Sequence, residues 1–147
     1  MVLAASLVAA GALPVDAWVL SSTGPVIAIM GDELFLGEAR GYLDGSGTME
    51  IRSQRTPELS CDGEFTSTAE LGGSGQLRCS DGATGTFRFK RLTLRKGFGA
   101  GSYDRGPMNF TYGLTAGESE LYLTLPPGKK LELFGTIPTL VDGAKGP

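Results

Sequence analysis

Few side chains in this 147-residue chain can perform chemistry, and their types exclude several classes of function. There is no histidine, which rules out Ser-His-Asp and Cys-His catalysis, histidine metal sites and an imidazole pH switch. The two cysteines, Cys61 and Cys79, fall short of the four soft ligands of a structural zinc site and do not form a C-x-x-C redox motif. We therefore expect neither a metal nor a cofactor.

The cysteine pair is most simply explained as one disulfide, provided that the protein reaches an oxidising compartment. The closed loop contains about 19 residues, and such a crosslink is worth on the order of 3 kcal/mol in the chain-entropy model. In a reducing compartment, buried free thiols would be the better interpretation. The disulfide prediction therefore depends on export.

Acidic side chains are the remaining candidates for catalysis, because glycoside hydrolysis needs two carboxyl groups about 5–10 Å apart. Spacing along the chain selects no such pair. Asp44, Asp62 and Asp81 each precede a glycine, so turn formation explains them. We predict that the protein is not an enzyme. A hydrolase using acidic residues, with Glu50 and Glu64 among the further candidates, is the alternative from a different class.

The basic residues are concentrated in one stretch of the chain. Residues 18–77 carry a net charge of −6, whereas residues 78–113 carry +5. Because clustered cations attract anionic surfaces at short range, we predict an anion-binding face in this stretch. Its candidate residues are Arg88, Lys90, Arg91, Arg95, Lys96 and Arg105. The alternative is a solvated outer face whose basic residues pair with acidic side chains on the neighbouring strand.

The N-terminus carries an apolar run that is typical of a secretory signal. Residues 2–13 are uncharged and apolar, and they are too few to span a bilayer, which needs about 20 residues. Val15 and Ala17 provide small residues for a cleavage site before Trp18, although no basic residue precedes Arg40. We expect residues 1–17 to be a signal peptide, with a retained apolar helix as the alternative.

Period-two alternation of apolar and polar residues dominates from Glu33 to Leu133, with glycine-containing turn signals between the runs. Phe87 and Phe89, for example, alternate with Arg88 and Lys90. The pattern predicts an all-β fold, an antiparallel meander forming a small sandwich or barrel with glycine-rich hairpins. The predicted strands are 33–43, 47–53, 58–67, 75–80, 84–94, 98–104, 108–114, 119–125 and 130–136.

The motif G-x-G recurs at 45–47, 73–75 and 97–99. Glycine weakens a strand, so its repetition implies close approach of neighbouring backbones or bulges. A phosphate-cradling loop is the alternative, but the chain has no G-x-x-x-x-G-K-[ST] motif.

These glycines belong to a longer pattern that runs through the middle of the chain. It comprises Gly73-x-Gly75, Cys79-Ser80-Asp81-Gly82, Gly85, Phe87-x-Phe89, Gly97-x-Gly99-x-Gly101 and Phe110-x-Tyr112-Gly113. The pattern resembles that of small exported proteins of Gram-negative bacteria, most of which have no assigned function. The resemblance covers about Gly37 to Gly113 and implies an exported β-domain without catalytic residues to carry over.

We divide the chain into a signal peptide (1–17), an N-terminal lead-in segment (18–32), a single β domain (33–137) and a flexible C-terminal tail (138–147). We predict an exported, non-enzymatic domain of the periplasm or cell envelope that acts by surface binding and has no transmembrane span in its mature chain. Its expected partner is an anionic envelope component or another envelope protein. A periplasmic inhibitor or chaperone-like module that binds protein is the alternative. Nucleic acid is not expected at a pI near 4.9.

Overall fold

The structure, a computed structural model, describes residues 21–68 and 72–143, so the predicted signal peptide (1–17) lies outside the described residues. This part of the chain forms ten β-strands and one short helix, α1 (Ala116–Ser119). The strands are β1 (Ser21–Met30), β2 (Glu33–Tyr42), β3 (Ser46–Ser53), β4 (Ser60–Ser67), β5 (Gly72–Cys79), β6 (Thr84–Thr93), β7 (Lys96–Tyr103), β8 (Gly106–Tyr112), β9 (Lys129–Phe134) and β10 (Ile137–Asp142).

Strands β1 to β8 form a closed antiparallel barrel. Each strand pairs with the next one along the chain, and β8 pairs with β1. Closure leaves the barrel without a free strand edge. The structure thus confirms the predicted all-β antiparallel meander, and of the two predicted architectures it has the barrel.

The interior of the barrel is built from aromatic rings that lie opposite glycines on neighbouring strands. Phe65 and Phe87 are both paired with Gly75 on β5, and Phe110 is paired with Gly99 on β7. The rings contact one another edge to face, with centroids 5.2 Å apart for Phe87 and Phe110. Each G-x-G motif on β5 and β7 therefore leaves two successive inward-facing positions without a side chain. Rings from the adjacent strands fill the space that those side chains would occupy.

A second core lies on the outer wall of the barrel, where the C-terminal segment covers β1 and β2. Its buried residues come from both parts of the chain: Ile27, Ile29, Leu34, Leu123 and Leu131. Burial of such side chains stabilises the contact by about 1.5–3 kcal/mol each. The β9–β10 hairpin is thereby attached to the barrel without joining its sheet.

Residues 18–32, predicted as a lead-in segment, include the barrel strand β1, which the strand prediction omits. The omission has a physical cause, because the second half of β1, from Val26 to Met30, is buried on both faces. Val26 and Ala28 belong to the barrel core, while Ile27 and Ile29 belong to the outer core. Such a strand shows a continuous apolar run in place of alternation. Pro25 is tolerated because pairing with β8 begins only at Val26.

The predicted strand 119–125 is wrong, and the structure has α1 followed by a turn and irregular chain at this place. Thr115 and Glu118 form a capping box, in which the Thr115 hydroxyl accepts from the Glu118 amide and the Glu118 carboxylate accepts from the Thr115 amide. Leu121, which lies within the predicted strand, is 82% exposed. At the C-terminus, residues 138–142 of the predicted tail belong to β10, and residues 144–147 lie outside the described residues.

The cysteine pair forms a disulfide, as predicted. Cys61 on β4 lies directly opposite Cys79 on β5, and the two sulfur atoms are at bonding distance, 2.01 Å. Both residues are buried in the barrel core. The bond therefore closes the β4–β5 hairpin from inside the barrel.

Candidate binding site at one end of the barrel

The hairpin turns alternate between the two ends of the barrel, because consecutive strands are antiparallel. The β2–β3 and β6–β7 turns lie at one end, together with the start of β1 and the end of β8. We call this the open end, because a cavity enters the barrel there. The β1–β2, β5–β6 and β7–β8 turns lie at the opposite end.

The six predicted anion-binding residues do not share one face. Arg88 and Lys90 are exposed on the outer side of β6, whereas Arg91 lies at the inward-facing position that follows and lines the cavity. Arg95 lies in the β6–β7 turn and also borders the cavity. Four of the six residues are thus on the β6 strand and its turn, at or near the open end.

The other two predicted residues, Lys96 and Arg105, form ion pairs. Lys96 Nζ is 3.8 Å from the Glu118 carboxylate. The Arg105 guanidinium is 2.5 Å from the Asp81 carboxylate and 5.3 Å from the centroid of the Tyr103 ring. Arg105 is in the β7–β8 turn, so the whole length of β7 separates it from the open end.

Cross-strand neighbours distinguish the two interpretations of the basic residues on β6. Arg88 lies opposite Ser74 on β5 and Ala100 on β7. Lys90 lies opposite Gly72 and Phe98. Neither residue has an acidic side chain directly opposite, so the pairing that the solvated-face interpretation invoked does not occur at these two positions.

Exposed leucines, which are not among the predicted site residues, accompany the cations at the open end. Leu94 in the β6–β7 turn is 76% exposed, and Leu43 in the β2–β3 turn is 72% exposed. Leu92, beside Arg91 on β6, is 42% exposed. The signal that could have identified this tip is the pair of leucines enclosed by two basic residues on each side, at residues 90–96.

A cavity of about 230 Å³ enters the barrel between these turns. Its inner wall is mostly apolar and is formed by the side chains of Val26, Met49, Phe65, Phe87 and Phe110, among others. Its mouth is lined by Leu43, Leu94, Arg91, Arg95 and Tyr112. The cavity therefore combines an apolar interior with a cationic entrance.

Tyr112 and Arg91 define the electrostatics of the entrance. Burial raises the pKa of the Tyr112 phenol above its usual range, although the nearby Arg91 guanidinium acts in the opposite direction. The phenol is therefore uncharged at neutral pH, and its hydroxyl can donate a hydrogen bond. The Arg91 guanidinium has no ion pair within residues 21–68 and 72–143.

Two of the aspartates that precede glycines stabilise turns, as the sequence indicated. The Ser46 hydroxyl and amide both donate to the Asp44 carboxylate, which lowers the pKa of Asp44. The Ala83 amide and, to a smaller extent, Arg105 lower the pKa of Asp81. Asp62 differs from these two, because it lies within β4 and Asp62-Gly63 is not a turn.

A row of three carboxylates emerges that chain spacing did not select. Glu50 on β3 lies directly opposite Asp62 on β4, and both side chains are exposed in a broad groove along the outer wall of the barrel. Glu38 lies opposite Glu50 on the other side, and Arg78 lies opposite Asp62. The row is thus an exposed acidic stripe that ends at a cation.

Within the described residues, no group of three or more His, Cys, Asp or Glu side chains is arranged to hold a metal ion. In the same part of the chain, no helix has the length and apolar character needed to cross a membrane.

Comparisons of the chain with protein-family models, with curated proteins and with solved structures find no significant match.

Proposed function

We propose that this protein is an exported, non-enzymatic binding module of the cell envelope, and that it attaches to anionic lipid surfaces through the open end of its barrel. The observation that carries the proposal is the tip of the β6–β7 hairpin, where Arg91 and Arg95 flank the exposed Leu92 and Leu94. Leu43 extends the apolar part of this tip from the neighbouring β2–β3 turn.

The chemistry of the tip suits a membrane surface that carries acidic headgroups. A basic side chain near such a surface contributes about 1 kcal/mol, and leucines beside it gain from leaving water. Four cations, Arg88, Lys90, Arg91 and Arg95, are located on β6 and its turn without an ion pair among the described residues. Their combined contribution would bring binding into the range in which it can be measured by sedimentation.

The disulfide supports the part of the proposal that concerns location. Disulfides persist in oxidising compartments, and the Cys61–Cys79 bond is compatible with export. Mass spectrometry of the protein secreted by a producing bacterium tests this part. We expect a chain that begins near Trp18 and contains an oxidised cysteine pair. A full-length chain with two free thiols inside the cell would contradict export.

Co-sedimentation with lipid vesicles tests the binding itself. We expect the protein to sediment with phosphatidylglycerol vesicles and to remain in solution with phosphatidylcholine vesicles. The double substitution Arg91→Gln and Arg95→Gln should weaken sedimentation at least tenfold, and Leu43→Ser with Leu94→Ser should have a similar effect. Arg105→Gln, at the opposite end, is the matched control. Equal loss in the control and the tip variants would overturn the proposal.

The outer side of β6 requires its own variant. Replacing Arg88 and Lys90 by Glu reverses the charge on the barrel wall without altering the hairpin tip. We expect a weaker effect than that of the tip variants, because only Arg91 and Arg95 are flanked by leucines at the end of the barrel. If wall reversal abolished sedimentation and the tip variants did not, the binding face would be the wall of β6.

A second candidate function, binding to another protein, is favoured by the β9–β10 hairpin. Leu133, Phe134 and Ile137 surround its turn and are 52–56% exposed. The two-stranded sheet also pairs with no strand of the barrel, so its strand edges can accept another strand. Purification with one stoichiometric partner, lost upon Phe134→Ser, would favour this function over lipid binding.

A hydrolase remains the alternative from the enzyme class, with Glu50 and Asp62 as its carboxylate pair. The test is a screen of glycan hydrolysis with the native protein and the Glu50→Gln variant. We expect no activity in either sample. Turnover that disappears with Glu50→Gln would replace the binding proposal.

A further inference from the structure

We propose that the cavity at the open end holds the alkyl chain of a single anionic amphiphile, such as a fatty acid, with the acid headgroup at Arg91 and Arg95. This inference goes beyond the proposed function, because binding inside the barrel does not require the hairpin tip to touch a membrane. The two activities can therefore be separated by experiment.

The wall of the cavity is suited to an alkyl chain. Phe87 and Phe110 reach the barrel core and are held edge to face, so their ring positions are fixed by mutual contact. Phe65 and Phe89 are fixed in the same way, with centroids 5.5 Å apart. Rigid apolar walls of this kind favour a ligand without polar groups along its length.

The volume sets the length of chain that fits. One water molecule occupies about 30 Å³ in the liquid, so 230 Å³ accommodates roughly eight groups of that size. A methylene group is similar in size to a water molecule. The cavity and its mouth together therefore accept a chain of roughly eight carbons, and the rest of a longer ligand would extend past Leu43 and Leu94.

The entrance selects the charge of the headgroup. Arg91 lies near the end of β6 and faces inward, beside the uncharged Tyr112 phenol. An arginine at the mouth of an apolar cavity is best satisfied by an anion, because its planar guanidinium donates two parallel hydrogen bonds to a carboxylate or phosphate. Arg95 provides a second cation at the same mouth, so a cationic headgroup would be repelled.

Gly41 offers a way to close the cavity without disturbing the fold. It lines the cavity, its backbone is not in the left-handed region, and a Cβ atom added to it would meet no atom of residues 21–68 and 72–143 within 4 Å. A larger side chain at this position can therefore enter the cavity. Gly41→Leu reduces the space available to a ligand, and Gly41→Ala reduces it by less.

Isothermal titration calorimetry with fatty acids of increasing length tests the inference, using the full chain without vesicles. We expect affinity to rise about fourfold per added methylene until roughly eight carbons are inside, and to level off beyond that length. Decyltrimethylammonium, which has a similar chain and the opposite charge, should bind at least tenfold more weakly than decanoate. Gly41→Leu and Arg91→Gln should each weaken decanoate binding at least tenfold, with a smaller loss for Gly41→Ala.

Two controls separate a ligand site from other causes. Circular dichroism and thermal melting check that the variants fold, and Arg105→Gln should bind decanoate like the native protein. Gly41→Leu should also still sediment with phosphatidylglycerol vesicles, so failure of the cavity and failure of membrane attachment are distinguishable. Decanoate binding that is absent, or that is unchanged by both Gly41→Leu and Arg91→Gln, would overturn the inference.

Discussion

Glycines on β5 and β7 provide the space that the rings of the barrel occupy. A Cβ atom added at Gly99 would lie 2.5 Å from the Phe110 ring, and one added at Gly75 would lie 2.5 Å from the Phe87 ring. A Cβ atom does not approach another carbon that closely, and the backbone oxygens of Arg88 and Glu64 lie closer still, at 2.4 Å from the added atoms. A side chain at either position must therefore displace both a ring and the backbone of the neighbouring strand.

Gly99→Ala is the direct test of this packing. We expect it to lower the free energy of unfolding by about 1–3 kcal/mol, which is typical of overpacking a core. Gly41→Ala is the matched control, because Gly41 is also a strand glycine, but a Cβ atom added there has no atom within 4 Å in the part of the chain that the structure describes. Urea denaturation measures both. Equal stability of the two variants would show that ring-over-glycine packing does not determine the sequence of β7.

At the residue scale, the sequence predicted the chemistry of several side chains and missed others. The turn roles of Asp44 and Asp81 followed from residue type and the glycine that comes next, which are local signals. The disulfide followed from the presence of a single cysteine pair and from the expected export. The prediction grouped Arg91 with Arg88 and Lys90, although period-two alternation places Arg91 on the face of Phe87 and Phe89. The alternation was a local signal, but it could not show that this face borders a cavity.

Among the elements, β1 and α1 are two that the alternation of apolar and polar residues did not predict. The end of β1 is covered on both faces, so it lacks the alternation that identified β2 to β8. The α1 helix has four residues, too few for helical periodicity, although the Thr115 and Glu118 capping box was readable. The cover that β9, β10 and the preceding segment place over β1 is a long-range contact, and no local pattern predicts it.

The C-terminal cover, which consists of β9, β10 and the segment before them, should detach from the barrel when its contact with β1 and β2 is weakened by mutation. Leu131→Ala is expected to cost about 2–5 kcal/mol, because Leu131 is buried in the outer core. We expect limited proteolysis to cleave the cover in this variant while the barrel resists. Leu121→Ala, at an exposed position, is the control. Unchanged resistance of the cover in Leu131→Ala would contradict the outer core.

The β4–β5 hairpin should depend on its disulfide. Replacing Cys61 and Cys79 by Ala is expected to lower the free energy of unfolding by about 3 kcal/mol, because the crosslink restricts the unfolded chain. Dithiothreitol should shift the urea midpoint of the native protein in the same direction and leave the double variant unchanged. A native midpoint that does not respond to reductant would contradict a structural role for the bond.

For the whole molecule, stability should be nearly independent of pH from about 5 to about 8. The chain has no histidine, and hydrogen bonds lower the pKa of Asp44, Asp81, Glu118 and Asp142. Carboxyl groups with a lowered pKa stabilise the fold above their unfolded values, which are about 3.9 for Asp and 4.3 for Glu. That contribution is lost as the pH falls through the lower, folded values.

Urea midpoints measured across this range check the expectation. We expect a plateau above about pH 5 and a decline below about pH 4, with a smaller decline in Asp81→Asn, which has lost one of the four groups. Asp32→Asn is the control at another exposed aspartate. A transition between about pH 6 and pH 7 would contradict the assignment, because none of these four carboxyl groups titrates there.

The open end is a property of the whole barrel, which is why the sequence could indicate its charges but not its cavity. Leu43 and Leu94 are 51 residues apart along the chain. Both line the mouth of the cavity only because the β2–β3 and β6–β7 turns lie at the same end of the barrel. The cavity between them depends on closure of β8 onto β1. Neither feature is visible in any single stretch of the sequence.

A nuclear magnetic resonance titration with decanoate shows whether the barrel holds a ligand in the cavity at its open end. We expect the signals of Val26, Met49 and Tyr112 to shift and saturate together, while those of Leu123 and Leu131 in the outer core remain in place. Shifts confined to the outer wall or the C-terminal cover, or no saturable shift at the cavity, would contradict a ligand site inside the barrel.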